Sequence, residues 1–164
     1  MTQSHDLIIV GGGPGGYHAA YLAGKAGLDV LLAERTHLGG TCLNVGCIPS
    51  KALLDSSEHY HNAHHMFKEH GINLSELKVD MPQMINRKRQ VVKDNSDGVS
   101  FLMKKNKVTV VMGEATIPAK GRVSVKTDKG TEELTAKNII LATGARAREL
   151  PGLEADGKRV WTYK

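Results

Sequence analysis

Two glycine-rich clusters hold the residues whose types and spacing can do chemistry. The first is Gly11-x-Gly13-x-x-Gly16, set directly after the apolar run Leu7-Ile8-Ile9-Val10 and before an alanine-rich stretch. With an acidic residue, Glu34, eighteen positions beyond Gly16, this is the pattern of a dinucleotide-binding turn. Each glycine has its own task there: Gly11 permits the tight turn, Gly13 lets backbone approach a pyrophosphate, and Gly16 lets helix pack closely on strand. The N–H groups opening the following helix would hold anionic phosphates. Glu34 would accept hydrogen bonds from ribose hydroxyls, and its charge disfavours an added 2′-phosphate. A glycine-rich turn of a generic α/β fold is the competing reading.

The second cluster is Gly39-Gly40-Thr41-Cys42-Leu43-Asn44-Val45-Gly46-Cys47-Ile48-Pro49-Ser50-Lys51, which contains both cysteines of the chain. Two cysteines cannot staple a chain of this size, so their close spacing favours redox chemistry or a metal. They come within disulfide range if the helix between them is irregular. A helix N-terminus and a nearby ammonium group would lower a thiol pKa and favour the thiolate. Lys51 could supply that charge or contact a cofactor ring. As a metal site the pair is poor, because His59, His61, His64 and His65 lie a helix away. His61 and His65, four apart, could share a helix face in ligand-capable geometry, but no Glu follows His61. They read as solvent-exposed or interfacial side chains, and no metal is expected.

These residues need elements to hold them. Asp6–Val10 and Leu28–Ala33 read as parallel strands buried on both faces, with a helix over Tyr17–Ala26 closed by Gly27, a right-handed βαβ unit. A second helix should run from Pro49 to about Glu69, with Gly71 as its stop. A third should start at Pro82, with Met84, Ile85, Val91, Val92, Val99, Leu102 and Met103 on one side. Its other side, with Arg87, Lys88, Arg89, Lys93 and Lys104, reads as a solvated face. From Val108 the period becomes two, giving Val108–Met112, Arg122–Thr127 and Thr131–Thr135 as a small antiparallel meander, then a last buried strand, Asn138–Ala142.

Composition narrows the function classes. The 164 residues carry a formal charge of +5 and 40% hydrophobic residues, ordinary for one globular domain. Aromatics at 4% leave no base-stacking platform, which argues against nucleic-acid binding. No apolar run reaches membrane-spanning length, and the polar start lacks a signal-peptide pattern, so the expectation is a cytoplasmic protein with no membrane. The 18 glycines, about 11% against an average near 7%, call for backbone close to a ligand.

The dinucleotide turn, Glu34 and the Gly40-Thr41-Cys42-x4-Cys47 run together resemble the FAD-dependent pyridine nucleotide–disulfide oxidoreductases, over Leu7 to about Gly152. Within that family, GGTCLNVGCIPSKALL (Gly39–Leu54) is most similar to the branch that oxidises dihydrolipoamide. The resemblance implies a Rossmann-like α/β fold with a parallel sheet, crossover helices and the antiparallel meander. It implies FAD on Gly11, Gly13 and Gly16, its adenosine ribose on Glu34 with Arg35 beside it, and neighbouring cofactor atoms on Gly40, Thr41 and Cys42. Lys51 would meet the isoalloxazine edge, Gly113 and Ala115 the adenine, and Thr143-Gly144-Ala145 a turn beside the cofactor. Cys47 would lie against the flavin as the charge-transfer thiolate, and Cys42 would exchange with the dithiol substrate.

The implied reaction oxidises protein-bound dihydrolipoamide through the Cys42/Cys47 pair and FAD to NAD+. The implied partner is a lipoyl-bearing protein of a 2-oxoacid dehydrogenase or glycine cleavage complex, served by a homodimer. Residues 1–150 would be the FAD-binding domain, incomplete, and residues 151–164 the start of a connection to an NAD-binding domain. The family's nicotinamide fingerprint, later Gly-Asp segment and acid–base His-Glu pair have no counterpart after Gly152, so these residues alone are expected not to turn over. Other FAD disulfide reductases, reducing glutathione or mercury, and a nucleotide-binding module without redox activity are the alternatives.

Overall fold

In the computed structural model, described over residues 3–162, eleven segments follow one another along the chain. They are β1 (Gln3–Val10), α1 (Pro14–Lys25), β2 (Val30–Glu34), α2 (Gly40–Asn44), α3 (Cys47–His65), a 3-10 turn (Phe67–His70), α4 (Met81–Lys105), β3 (Thr109–Met112), β4 (Glu114–Ala119), β5 (Arg122–Thr127) and β6 (Gly130–Leu141). The six strands form one sheet in the order β3-β2-β1-β6-β5-β4. β1 pairs in parallel with β2 (Leu7 opposite Val30) and with β6 (Leu7 opposite Asn138), and β2 in parallel with β3. The β4–β5–β6 part is antiparallel.

The continuous apolar runs of β1 and β2 are buried on both faces, as a parallel pair at the centre of a sheet must be. Leu7, Ile9, Val30 and Leu32 face the helices, packing with Ala20 of α1 and Met103 of α4. Ile8, Val10, Leu31 and Ala33 alternate to the other face, which Val123, Val125 and Leu134 cover. That second face is thus closed by the meander and not by helices, and β4 touches β2.

Several boundaries differ from the sequence expectation, each for a local reason. The first helix starts at Pro14, whose fixed φ suits a first helical position. The helix expected from Pro49 starts at Cys47, with Pro49 still in its first turn, and ends at His65. A 3-10 turn replaces its last residues, and Gly71 stops it at φ +76°. Thr131–Thr135 and Asn138–Leu141 are one twelve-residue strand, whose first half pairs with β5 and whose second half pairs with β1; the second half, expected to be buried, is largely exposed, with Leu141 at 66%. β4 escaped the pattern because it is an exposed strand containing Pro118, without apolar alternation. Nor is Arg87 simply solvated: it donates to the Ala52 carbonyl (3.0 Å) and to the Asp55 carboxylate (2.6 Å), tying α4 to α3.

Candidate functional site

The parallel strands end at one edge, and the loops leaving them enclose a cleft of about 1170 Å³. From β1 the chain turns to one side, toward β2, while β6 lies on the other side. Such a reversal of strand order leaves a crevice at the carboxyl ends of the strands. Three loops meet there: Gly11–Gly15 after β1, Arg35–His37 after β2, and Ala142–Arg146 after β6, joined by α2, Cys47 and the β3–β4 turn.

Of the residues singled out by sequence, Gly11, Gly13, Glu34, Arg35, Gly40, Thr41, Cys42, Cys47, Gly113, Ala115, Thr143, Gly144 and Ala145 line this cleft. Gly16 and Lys51 do not. Gly16 is pressed on the turn itself, where a Cβ would stand 1.7 Å from the Gly11 carbonyl oxygen. Gly11 has φ +106°, and its own Cβ would meet the Ala142 carbonyl at 2.3 Å. Lys51 is exposed, one helical turn beyond Cys47.

Helix α1 begins against the cleft with Gly13 as its N-cap and no side chain capping it. Tyr17 N–H already donates to the Gly13 carbonyl (2.9 Å). Gly11 N–H donates to the Ala33 carbonyl (2.8 Å) and Gly12 N–H to Glu34, and Pro14 has no N–H, so it is Gly13 and Gly15, lining the cleft, that present the positive end of the helix to an anion.

Glu34 is only 8% exposed, and its carboxylate is engaged by the protein itself. One oxygen accepts from Gly12 N–H (2.6 Å), the other from Thr36 N–H (2.7 Å) and Thr36 O–H (3.1 Å). The acid therefore locks the glycine turn to the loop after β2, a role the sequence spacing did not reveal. The backbone extends this lock: Gly39 N–H donates to the Gly12 carbonyl (2.8 Å) and Gly113 N–H to the Glu34 carbonyl (2.8 Å). The two glycine clusters also touch, since a Cβ on Gly40 (φ +56°) would lie 2.7 Å from Gly13 Cα.

The cysteines sit on either side of a break between two helices. α2 ends at Asn44, and α3 starts at Cys47 with Gly46 as N-cap. A Cβ on Gly46 would stand 3.0 Å from the Thr41 carbonyl oxygen and 3.5 Å from Cys42 Cα, so glycine lets the start of α3 fold back on Cys42. Asn44 holds the entry to this turn, donating to the carbonyls of Leu38 (3.0 Å) and Gly40 (2.9 Å). Sequence spacing assigns Asn44 and Gly46 no task, because their partners are backbone groups that folding brings close.

Both cysteines are free thiols; Cys42 is half-buried and Cys47 exposed. The Cys42 thiol is pushed above its ordinary value, chiefly by its hydrogen bond with the Cys47 side chain, then by burial and by the charge of Cys47. The Cys47 backbone N–H and the Lys51 charge oppose this and are outweighed. The expected lowering by a helix N-terminus and an ammonium group is thus present at Cys42 but does not win while both thiols are reduced. The pair can form a local disulfide or exchange with an external one.

The family model for pyridine nucleotide-disulphide oxidoreductase matches residues 5–164. A dihydrolipoyl dehydrogenase of Rhizobium etli is 46% identical over 99% of this chain and 37% of its own length. The mitochondrial dihydrolipoyl dehydrogenase 1 of Arabidopsis thaliana is 48% identical over 97% of this chain and 32% of its own length. A leghemoglobin reductase of Vigna unguiculata is 47% identical over 97% and 31%. Among solved structures, the HOCl-induced flavoprotein disulfide reductase RclA of Escherichia coli, as its Cu(II) complex, superposes with a TM-score of 0.72 at 28% identity, over 92% of this chain and 31% of that one. The chain spans about a third of the length of the curated relatives it matches.

Proposed function

The chain belongs to the pyridine nucleotide-disulphide oxidoreductase family, and on that footing we propose that its residues form the FAD-binding and redox-dithiol part of a dihydrolipoyl dehydrogenase. The observation that carries the reading is one cleft lined by both the glycine turn of α1 and the Cys42/Cys47 pair.

The residues present fit FAD. The cleft wall at Gly11, Gly13 and Gly40 is bare backbone, and the uncapped start of α1 suits a pyrophosphate. Glu34 keeps lone pairs free beyond its three protein contacts, so it can accept ribose hydroxyls while holding the loops. Arg35, Gly113 and Ala115 would flank the adenine, and Thr41, Cys42 and the Thr143-Gly144-Ala145 turn the remainder. Lys51 is assigned to the isoalloxazine edge, which requires it to turn in from its exposed position. When bound, FAD supplies the two-electron acceptor that returns the reduced pair to the disulfide.

The thiol chemistry follows from the pair alone. With Cys42–Cys47 as a disulfide, a substrate thiolate attacks Cys42 Sγ, and Cys47 leaves as thiolate. The second substrate thiol, losing its proton, attacks the mixed disulfide and releases the cyclic lipoyl disulfide and a Cys42 thiolate. Two electrons have passed from substrate to the pair. Both thiols line the cleft, and the family resemblance assigns Cys47 to the flavin side and Cys42 to exchange with the substrate. In the parent reaction NAD+ is the final acceptor and a lipoyl-bearing protein of a 2-oxoacid dehydrogenase or glycine cleavage complex the partner, met by a homodimer in the cytoplasm.

Two measurements test this. Titration with FAD should quench flavin fluorescence, and Gly13→Val, which fills the cleft wall, should abolish it; binding unaffected by that change would overturn the assignment. Dihydrolipoamide should convert the oxidised pair to two free thiols, counted by alkylation and mass, and a pair left oxidised by it would refute the substrate class.

A further inference from the structure

The last turns of α3 carry four exposed histidines, His59, His61, His64 and His65. Spacing alone reads them as exposed or interfacial, but the ring positions go further. The His61 and His65 centroids lie 4.6 Å apart, with 38° between the planes. A metal ion bonded at about 2.0–2.1 Å to one nitrogen of each ring sits roughly 3.2 Å from each centroid, so a bond angle of about 90–110° puts the centroids about 4.5–5.2 Å apart. The pair already stands at that separation.

From this geometry we propose that His61 and His65 form a two-imidazole site for a borderline divalent cation of the Ni(II), Cu(II) or Zn(II) class, with water completing the coordination. Among the described residues no group of three or more His, Cys, Asp or Glu side chains is placed to hold a metal, so the protein supplies two ligands. The position suits a cation electrostatically: it is the C-terminal turn of a 19-residue helix, where carbonyls without helical partners form the negative end of the dipole. Imidazole selects late first-row metals over Mg(II) and Ca(II). The neighbouring histidines have other company: His59 lies 3.8 Å from the Asp55 carboxylate, and His64 stacks on Tyr60. His64 also approaches His65, at 4.6 Å, which makes it the discriminating control. Cys47 lies fourteen residues back along α3 from His61 and eighteen from His65, about 21–27 Å at the helical rise, so this site stands or falls independently of the chemistry in the cleft.

The test is calorimetric titration of the chain with Ni(II), its two thiols first blocked with iodoacetamide. One ion per chain is expected, with His61→Ala and His65→Ala each weakening binding roughly 100-fold, the scale of losing a bidentate attachment. His61→Gln should do the same while keeping helical circular dichroism intact. His59→Ala should stay within about twofold, as surface substitutions away from the site do, and so should His64→Ala, whose ring stands as near to His65 as that of His61 does but which supplies no ligand. Acidification should release the ion, because both ligands must be neutral. Unchanged affinity in His61→Ala or His65→Ala, an equal loss in His64→Ala, or equal binding of Mg(II) would overturn the proposal.

Discussion

Replacing Glu34 by Gln tests whether this acid is structural as well as a candidate ligand. The wild-type carboxylate accepts three hydrogen bonds at 2.6, 2.7 and 3.1 Å from a site only 8% exposed. Gln has one acceptor oxygen and one NH2 donor. In its better orientation the oxygen keeps the Thr36 donors, now without the charge that strengthens such bonds, and the NH2 confronts Gly12 N–H. A bond to a charged group contributes about 1.5–3 kcal/mol, and a buried donor left unpaired costs about 1–3 kcal/mol. The loss should therefore be about 3 kcal/mol, a large fraction of the ~5–15 kcal/mol that holds a domain folded. Urea unfolding at neutral pH, followed by far-UV circular dichroism with no nucleotide added, would measure it. If Glu34 served only a ribose, the unliganded variant would be as stable as wild type. A difference below about 0.5 kcal/mol, the scatter of ordinary surface substitutions, would refute the interlock.

Four further outcomes are expected. Gly16→Ala drives a methyl into the Gly11 carbonyl at 1.7 Å; neither backbone can yield, so destabilisation of about 3 kcal/mol, the upper range for overpacking, should appear in the same unfolding assay. Asn44→Ala leaves the Leu38 and Gly40 carbonyls without their side-chain donor, a loss of about 2 kcal/mol that hydrogen exchange should localise to the loop before α2. The pH midpoint for alkylation of Cys42 should lie above the ordinary 9.0, and Cys47→Ala should bring it down by removing the largest cause of the rise; an unshifted midpoint in the variant would contradict that cause. Asp156 accepts from the N–H groups of Lys158, Arg159 and Val160, and its pKa is lowered from 3.8 to about 2. A lowered acid stabilises its turn above the ordinary value and loses that as pH falls through the folded one, so the protection of these three amides relative to their intrinsic exchange rates should be lost between about pH 4 and 2.

What the sequence made legible was local or periodic. The run Leu7–Val10 announces a central parallel strand because only such a strand is apolar on both faces, and the glycine spacing after it names the turn. What it concealed depends on pairing partners remote in sequence. Thr131–Thr135 and Asn138–Ala142 read as two strands because one half of β6 answers to β5 and the other to β1, so burial changes along a continuous backbone. The meander's place over the second face likewise follows from the sheet order and leaves no mark in period-two patterning.

The same division runs through the site. By itself the sequence determined which chemical groups are available: a phosphate turn, an acid after the second strand, two thiols with four residues between them. Those are properties of residue type and short spacing, and chain connectivity alone enforces them. Only the tertiary structure decided what the groups do to one another. It sets Glu34 against Gly12 and Thr36, stacks Gly40 on Gly13, folds Gly46 onto Cys42 so that one thiol holds the other protonated, and leaves Lys51 outside the cleft. Hydrogen bonds and close contacts act over a few ångströms, and those distances exist only once the sheet has brought its loops to a single edge.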